Sequence, residues 1–248
     1  MIHGAFAGGW CLQPLARALV RRGWTTHVPD LPGHGARRLA DAELARLGLA
    51  EYRADLAGLI AGLPAPPILV GHSMGAVLAQ QLAMAGLARG LVLVAPAPRQ
   101  GLLPQSAAEM RASQGLMSLG PLWQMAVHPN WEVAAADSLN RVPADRRRAV
   151  FDRFGPESGR ALFQMFFWML DAEAGAAVEP TRVTCPVLCL CGSDDRVVSP
   201  ASARLTAGGF GAAATCHELA GCGHMLPIEV DAGRLAELIA DWAARLED

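Results

Sequence analysis

The sequence predicts a doubly wound α/β protein built on one mostly parallel sheet. Two short, continuously apolar runs, residues 68–71 and 90–95, are typical of parallel strands that helices cover on both faces. Apolar residues at helical spacing separate the two runs. Because strands and helices alternate again in the last third of the chain, a single sheet with helices on both sides is the simplest architecture.

Composition narrows the function classes. The chain has 248 residues, 52% of them hydrophobic, which is enough to bury a substantial core. Its net charge is -2 and it has no basic block that follows a phosphate backbone, so we expect no nucleic-acid partner. No apolar run approaches the roughly 20 residues of a membrane span, and the first residues do not resemble a signal peptide. We therefore expect a soluble, cytoplasmic protein, whose oligomeric state the sequence does not indicate.

The first third of the chain begins with a glycine-rich loop over residues 4–10. Only three residues precede this loop, which is short for a buried strand. Either the strand begins raggedly or the natural start lies upstream of Met1. The elements predicted next are, in order, a helix over 12–20, a strand over 24–28, a proline- and glycine-rich loop over 29–35 and an amphipathic helix over 52–63.

Residues 99–182 interrupt the alternation of strands and helices. No convincing strand occurs there, and helical stretches rich in Met, Trp and Phe take its place. One stretch, residues 162–170, is apolar nearly all round, so it is either an ordinary core helix or a helix that lines a ligand pocket. Strand and helix order then returns. We therefore predict a core of residues 1–98 and 183–248, with residues 99–182 inserted as a helical cap over the carboxyl edge of the sheet.

The six cysteines do not form a metal-binding pattern. They include no C-x-x-C pair and no cluster with histidine at zinc spacing. Cys185, Cys189 and Cys191 fall on one face of a predicted strand, where cysteine behaves as a small buried hydrophobic residue. We expect free core thiols, no metal site and no cofactor.

Residues 71–75, Gly-His-Ser-Met-Gly, carry the strongest chemical signal. They break an apolar strand and are followed by helical spacing, which predicts a sharp turn with Ser73 at its apex. Side chains at the two glycine positions would collide with the neighbouring strand and helix, so the spacing has a steric reason. Alone, the pattern also fits a glycine-rich connection in which Ser73 merely caps a helix. The rest of the chain decides between a nucleophile and a cap.

A serine nucleophile needs a base, and the base needs a group that fixes its tautomer. His224 lies in a glycine-rich loop after the last predicted strand, and Asp194 and Asp195 follow another strand. The carboxyl ends of parallel strands meet at one edge of a sheet, so these side chains can lie near Ser73. We therefore predict Ser73 as the nucleophile, His224 as the base and one of the two aspartates as the acid.

Five motifs, in the same order, resemble those of the α/β-hydrolase family. They are an oxyanion-loop motif at 3–5, a D-x-x-G-H-G loop at 30–35, a nucleophile elbow at 71–75, an acid loop at 192–195 and a histidine loop at 223–224. The resemblance covers nearly the whole chain outside the cap. It implies an α/β-hydrolase fold that lacks the first strands, and it favours a nucleophilic role for Ser73.

The resemblance also implies individual roles. The family pattern G-x-x-D favours Asp195 over Asp194 as the acid. The backbone N–H groups of Ala5 and Met74 would form the oxyanion hole, with that of Phe6 as an alternate to Ala5. Oxyanion donors of this kind act on the charge that develops during attack on a carbonyl carbon.

Two further sets of residues receive broader roles. Three histidines within the motifs are interpreted as braces that hydrogen-bond locally, namely His3, His34 and His72. Six apolar side chains are expected to line the substrate pocket, namely Phe6, Trp123, Met125, Phe167, Trp168 and Met225. The apolar character of this second set favours a substrate with hydrophobic surface.

The amino-terminal loop resembles that of a compact branch of methyl esterases, hydroxynitrile lyases and carboxylesterases. The lyases carry threonine and lysine where this chain has Gly4 and Met225, so cyanohydrin cleavage is disfavoured. We predict a serine hydrolase that cleaves carboxylic esters of small to medium apolar molecules through an acyl-enzyme intermediate. Hydrolysis of thioesters, amides or C–C bonds by the same residues is one alternative, and a receptor-like protein that binds a small molecule with little turnover is another.

Overall fold

Six strands occur in residues 1–246, the part of the chain that the computed structural model describes. They are β1 Ile68–His72, β2 Gly90–Val94, β3 Ala126–Val127, β4 Glu157–Ser158, β5 Val187–Gly192 and β6 Ala214–Leu219. Four of them form one parallel sheet in the order β1-β2-β5-β6. The other two, β3 and β4, form a separate antiparallel pair.

Eleven α-helices lie in the same residues. They are α1 Gln13–Val20, α2 Asp41–Leu44, α3 Leu49–Ala61, α4 Met74–Met84, α5 Ala107–Met117, α6 Trp131–Ala136, α7 Ala144–Phe151, α8 Gly159–Phe166, α9 Pro200–Gly208, α10 Leu226–Glu229 and α11 Ala232–Ala244. None of the helices in the described range is long and apolar enough to cross a membrane.

Strands β1, β2 and β5 of the sheet are buried, whereas the edge strand β6 is largely exposed. Along β2, Leu91 and Leu93 pack into one hydrophobic cluster, which includes residues of α3, α4 and α9. Val92 and Val94 point the other way, into a cluster formed with α1 and α11. Successive side chains of a strand face opposite sides, so a strand covered on both faces has to be apolar throughout. The predicted doubly wound α/β fold is confirmed.

The prediction of buried cysteines holds for Cys11, Cys185, Cys189 and Cys191 but is wrong for the exposed Cys216 and the half-buried Cys222. Cys185, Cys189 and Cys191 are buried in the same cluster as Leu91. All six cysteines are free thiols. Within residues 1–246, no group of three or more His, Cys, Asp or Glu side chains is placed to hold a metal ion.

The segment between β2 and β5 is mainly helical and contains α5 to α8. It also contains the β3–β4 pair, in which Ala126 lies opposite Ser158 and Val127 opposite Glu157. The sequence predicted no strand here, because two residues are too few to show an alternating pattern. Helix α8 ends at Phe166, and the predicted helical stretch continues only as a separate 3-10 turn at Trp168–Leu170.

The amino-terminal edge of the sheet differs from the prediction. Ile2 forms a single parallel bridge to Gly71; its N–H donates to Val70 O at 2.7 Å, and its carbonyl accepts from His72 N at 2.9 Å. Residues 24–28 do not form a strand, so that prediction is wrong. A groove of about 830 Å³ is lined both by these residues and by the first half of β1. Within residues 1–246, residues 24–28 therefore pair with no strand of the sheet.

Candidate active site

Ser73 lies at a strained turn between β1 and α4. Its backbone has φ 52° and ψ -119°, an uncommon conformation for a residue with a side chain. A Cβ atom on Gly71 would lie 2.3 Å from the carbonyl oxygen of Gly75, and one on Gly75 would lie 2.3 Å from that of Ile2. The turn therefore requires both glycines. It presents a half-buried Ser73 at the carboxyl end of β1.

The loop after Ile2 packs directly against this turn. A Cβ atom on Gly4 would lie only 2.9 Å from Cβ of Ser73. His3 anchors the loop, because its Nε2 accepts from Leu31 N at 3.0 Å and its Nδ1 lies 2.9 Å from Gly4 O. Burial, with repulsion from a neighbouring histidine, lowers the pKa of His3 to about 4. A neutral ring with its proton on Nδ1 satisfies both contacts.

The backbone N–H groups of Ala5 and Met74 are among those near Ser73 that have no acceptor within residues 1–246. Met74 is the first residue of α4, where N–H groups have no partner inside the helix and favour negative charge. The N–H of Phe6 instead donates to Oε2 of Glu157 at 3.4 Å. This geometry favours Ala5 over Phe6 as the second oxyanion donor.

The two candidate aspartates have different surroundings. Asp195 is buried; its Oδ2 lies 2.9 Å from His224 Nδ1, and its Oδ1 accepts from the N–H groups of Val197 and Val198, both at 2.8 Å. Asp194 points away and forms an ion pair with Arg141 in the segment between β2 and β5. The structure therefore places Asp195, rather than Asp194, against the predicted base.

Hydrogen bonds to its backbone hold the loop around His224. The carboxylate of Glu229 accepts from Gly223 N at 2.6 Å and from Met225 N at 3.1 Å, so it brackets His224. The carbonyl oxygen of His224 lies 2.9 Å from Nε2 of His72. These contacts fix the ring between Asp195 and the turn that carries the serine.

Charge around His224 favours its protonated form. Burial opposes the charge, but the nearby Asp195 carboxylate, its hydrogen bond and the more distant Glu229 together raise the pKa of His224 above its ordinary value. The opposite holds for His72, because burial and repulsion from His224 lower its pKa to about 3. His72 is therefore neutral, and it donates its Nε2–H to the His224 carbonyl.

His72, the residue before Ser73, contacts His224, although no hydrogen bond joins the side chains of Ser73 and His224 within residues 1–246. The rings of His224 and His72, which precedes Ser73, have centroids 5.0 Å apart. Hydrogen bonds between nucleophile and base are often long before substrate binds. A serine hydroxyl, an imidazole paired with a carboxylate and two unbonded N–H groups are the parts that nucleophilic acyl chemistry needs.

The predicted pocket residues differ in how far they are buried. Phe6 is half-buried and follows Ala5 in the loop beside the serine. Met225 is 3% exposed and packs inside a separate hydrophobic cluster, so it is a core residue. Trp123 and Met125 are exposed. Trp123 also borders a cavity beside Arg160. At the end of α8, Phe167 is buried and Trp168 is half-buried.

Two residues of the site give no sequence signal. Glu157 and Glu229 are single acidic residues without a motif, and their contacts depend on the fold. The bracing histidines also contact residues that lie farther away in the sequence than predicted. His34 contacts Glu157, and His72 contacts His224, each more than 120 positions away. The prediction that these histidines hydrogen-bond locally is wrong for these contacts of His34 and His72, because the fold buries each ring against a residue distant in the sequence.

The raised pKa of His224 predicts the acidic limb of the activity profile. A protonated His224 cannot accept the serine proton, so kcat/KM should fall as the pH is lowered through a pKa above the ordinary value of about 6.5. Glu229→Gln removes a negative charge that favours the protonated ring, and it should move this limb to lower pH. Ester hydrolysis measured from pH 5 to 9 checks both expectations.

Glu237→Gln is the matched control for this charge change, because Glu237 is exposed on α11. Its pH profile should match that of the unmodified protein. A Glu229→Gln profile whose acidic limb stays in place, or moves to higher pH, would contradict the electrostatic explanation.

Comparisons with known proteins identify the family of this chain. The model of the Alpha/beta hydrolase family matches residues 1–238. The protein therefore belongs to the α/β-hydrolase family, as its motifs predict. The α/β hydrolases are a family of enzymes, and esterases are among the proteins with similar structures.

Individual relatives span nearly the whole chain. The magnesium-chelatase 30 kDa subunit of Rhodobacter capsulatus is 29% identical over 263 residues, which cover 98% of this chain and 85% of the subunit. A methylesterase from Arabidopsis has a TM-score of 0.72 at 17% identity, covering 98% of this chain and 97% of its own. An esterase from Thermogutta terrifontis has a TM-score of 0.70 at 20% identity, covering 100% and 89%. The likeness to the two solved structures shows a shared fold.

Proposed function

We propose that the protein is a serine hydrolase that cleaves carboxylic esters of small to medium apolar molecules. The observation that carries this proposal is the buried pair of His224 and Asp195, 2.9 Å apart, beside the strained turn that presents Ser73. A carboxylate that faces Nδ1 leaves Nε2 free to accept a proton. The unbonded N–H groups of Ala5 and Met74 supply donors for a developing oxyanion.

The proposed reaction has two halves. In the first, Ser73 Oγ bonds to the acyl carbon while its proton passes to Nε2 of His224, and the carbonyl oxygen becomes an oxyanion facing Ala5 and Met74. The C–O bond to the alcohol then breaks, and His224 gives the proton to the leaving oxygen. In the second half, water attacks the acyl-enzyme, His224 again carries the proton, and the carboxylic acid leaves with Ser73 restored.

Apolar side chains support the choice of substrate. Phe6, Phe163 and Phe166 are only partly buried, and all pack on the hydrophobic cluster that Ala5 also contacts. Of the three, Phe6 follows Ala5 in the loop, and an aromatic side chain at that position favours an acyl or alcohol group with hydrophobic area. Esterases and a thioesterase domain are among the proteins with similar structures, which supports acyl chemistry in general.

Active-site labelling combined with an ester series tests this proposal. A fluorophosphonate probe should label the protein once, at Ser73, and p-nitrophenyl esters of increasing acyl length should be hydrolysed with a burst of one product per chain. Peptide mapping locates the label. An unlabelled protein that hydrolyses no ester in the series would overturn the proposal.

A role as a non-hydrolytic subunit is the second candidate. It is supported by the whole-chain similarity to a subunit of magnesium chelatase. A purely structural subunit has no need of an unbonded oxyanion region or of a buried base and acid, so the site geometry favours the hydrolase. The labelling experiment separates the two, because a structural subunit should not react with the probe.

A further inference from the structure

The carboxylate of Glu157 is fully buried between the helical segment and the loop beside the serine. Its Oε1 accepts from the hydroxyl of Tyr52 at 2.8 Å and from Ser158 N at 2.7 Å. Its Oε2 lies 2.9 Å from Nε2 of His34 and accepts from Phe6 N at 3.4 Å. A buried carboxylate is costly unless its oxygens are paired, and four donors surround this one.

The partner of Glu157 is a charged histidine. Nδ1 of His34 faces the carbonyl oxygen of Pro32 at 3.1 Å, while Nε2 faces the carboxylate. Two acceptors require both ring nitrogens to carry protons. Burial opposes the charge on His34, but Glu157 raises its pKa above the ordinary value; burial likewise opposes the charge on Glu157, and His34 lowers its pKa. The result is a buried ion pair.

Both backbone polar groups of Phe6 are bound by the same short segment. Glu157 accepts from the N–H of Phe6, and the N–H of Gly155 donates to the carbonyl of Phe6 at 2.8 Å. Phe6 has φ 61°, a left-handed conformation that is unfavourable for a residue with a side chain and therefore needs support. The neighbouring Ala5 carries one of the two N–H groups predicted as oxyanion donors, and this N–H donates no hydrogen bond within residues 1–246.

We propose that Glu157 is a positioning residue through which the segment between β2 and β5 holds the oxyanion loop in its active shape. It acts through Phe6 and His34 and does not touch substrate, since its side chain is fully buried. This inference rests on the proposed serine-hydrolase function. Oxyanion contacts strengthen in the transition state, so a displaced Ala5 should lower kcat far more than it changes KM.

Glu157→Gln tests this role, because it keeps the shape of the side chain and removes its charge. We expect kcat for a p-nitrophenyl ester to fall about 10- to 100-fold while KM changes less than about threefold, as expected for a small misplacement of a catalytic group. Hydrogen–deuterium exchange in the peptide covering residues 4–8 should become faster, which reports on the loop independently of activity.

Glu109→Gln provides a matched control. Glu109 is also a buried glutamate of the inserted segment, and it accepts from the N–H groups of Ser106 and Ser199, away from Phe6. Its loss should lower the melting temperature but leave exchange in residues 4–8 unchanged. Equally faster exchange there in both variants would show a general effect of stability and overturn the positioning role.

Other outcomes are also decisive. If the unmodified protein neither hydrolyses esters nor reacts with a fluorophosphonate, the proposed function fails before Glu157 is tested. If the unmodified protein is active and Glu157→Gln keeps its kcat and its exchange rate, the positioning role alone fails. Should Glu157→Gln not fold, Glu157→Asp replaces it: the charge stays but the reach is shorter, and retention of full kcat would overturn the inference.

Discussion

Ser73→Ala is expected to abolish ester turnover, lowering kcat by about 10⁶-fold, the loss seen when an acyl-transfer nucleophile is removed. Alanine removes the only atom that forms the acyl bond in the proposed reaction. The variant should fold normally, because the Ser73 hydroxyl makes no hydrogen bond within residues 1–246 and the residue is only half-buried. Initial rates with a p-nitrophenyl ester and a thermal melt measure both properties.

Labelling provides the control for this variant. Fluorophosphonate should modify the unmodified protein and leave Ser73→Ala unmodified, while Ser193→Ala, in the acid loop, should still be labelled. A Ser73→Ala protein that retains the burst of p-nitrophenol, or that is labelled to the same extent, would exclude Ser73 as the nucleophile.

Asp195→Asn is expected to lower kcat by about 10⁴-fold, because it reverses the hydrogen bond to His224. The N–H groups of Val197 and Val198 both point at Oδ1 and will hold the oxygen of the new amide. The NH2 group is then left facing Nδ1 of His224 and donates to it. The ring must carry its proton on Nε2, where it cannot accept one from the serine.

Asp194→Asn is the matched control, since it makes the same chemical change one residue away. Asp194 pairs with Arg141 at a partly exposed site, so its replacement should leave kcat within about twofold and cost little stability. Comparable losses in the two variants would exclude the assignment of Asp195 as the acid. A full loss in Asp194→Asn alone would reverse the two roles.

Local sequence patterns predicted the parts of the fold and site that depend on local geometry. The turn at Ser73 follows from two glycines whose Cβ positions are blocked by neighbouring backbone, a constraint that appears in the sequence as spacing. The parallel strands could be read because burial on both faces leaves continuous apolar runs. Asp195 follows such a strand, and His224 follows the exposed edge strand β6, so the parallel topology brings both to one edge of the sheet.

The remaining features depend on partners distant in the chain. Residues 24–28 have the composition of a strand, but a strand needs a neighbour, and within residues 1–246 only Ile2 bridges to β1 at that edge. The role of Glu157 arises from His34 and Tyr52, each more than 100 positions away. No periodicity in a single sequence records contacts of that kind.

The two hydrogen bonds on Phe6 limit how freely the segment between β2 and β5 can be replaced by that of another protein. A chimaera that receives the corresponding segment of another protein would have to supply a donor where Gly155 stands and a charged acceptor where Glu157 stands. Otherwise Phe6 would lose both backbone partners in a left-handed conformation that it does not favour. The segment can therefore be exchanged most safely at crossover points that keep residues 155–157 together with the amino-terminal loop.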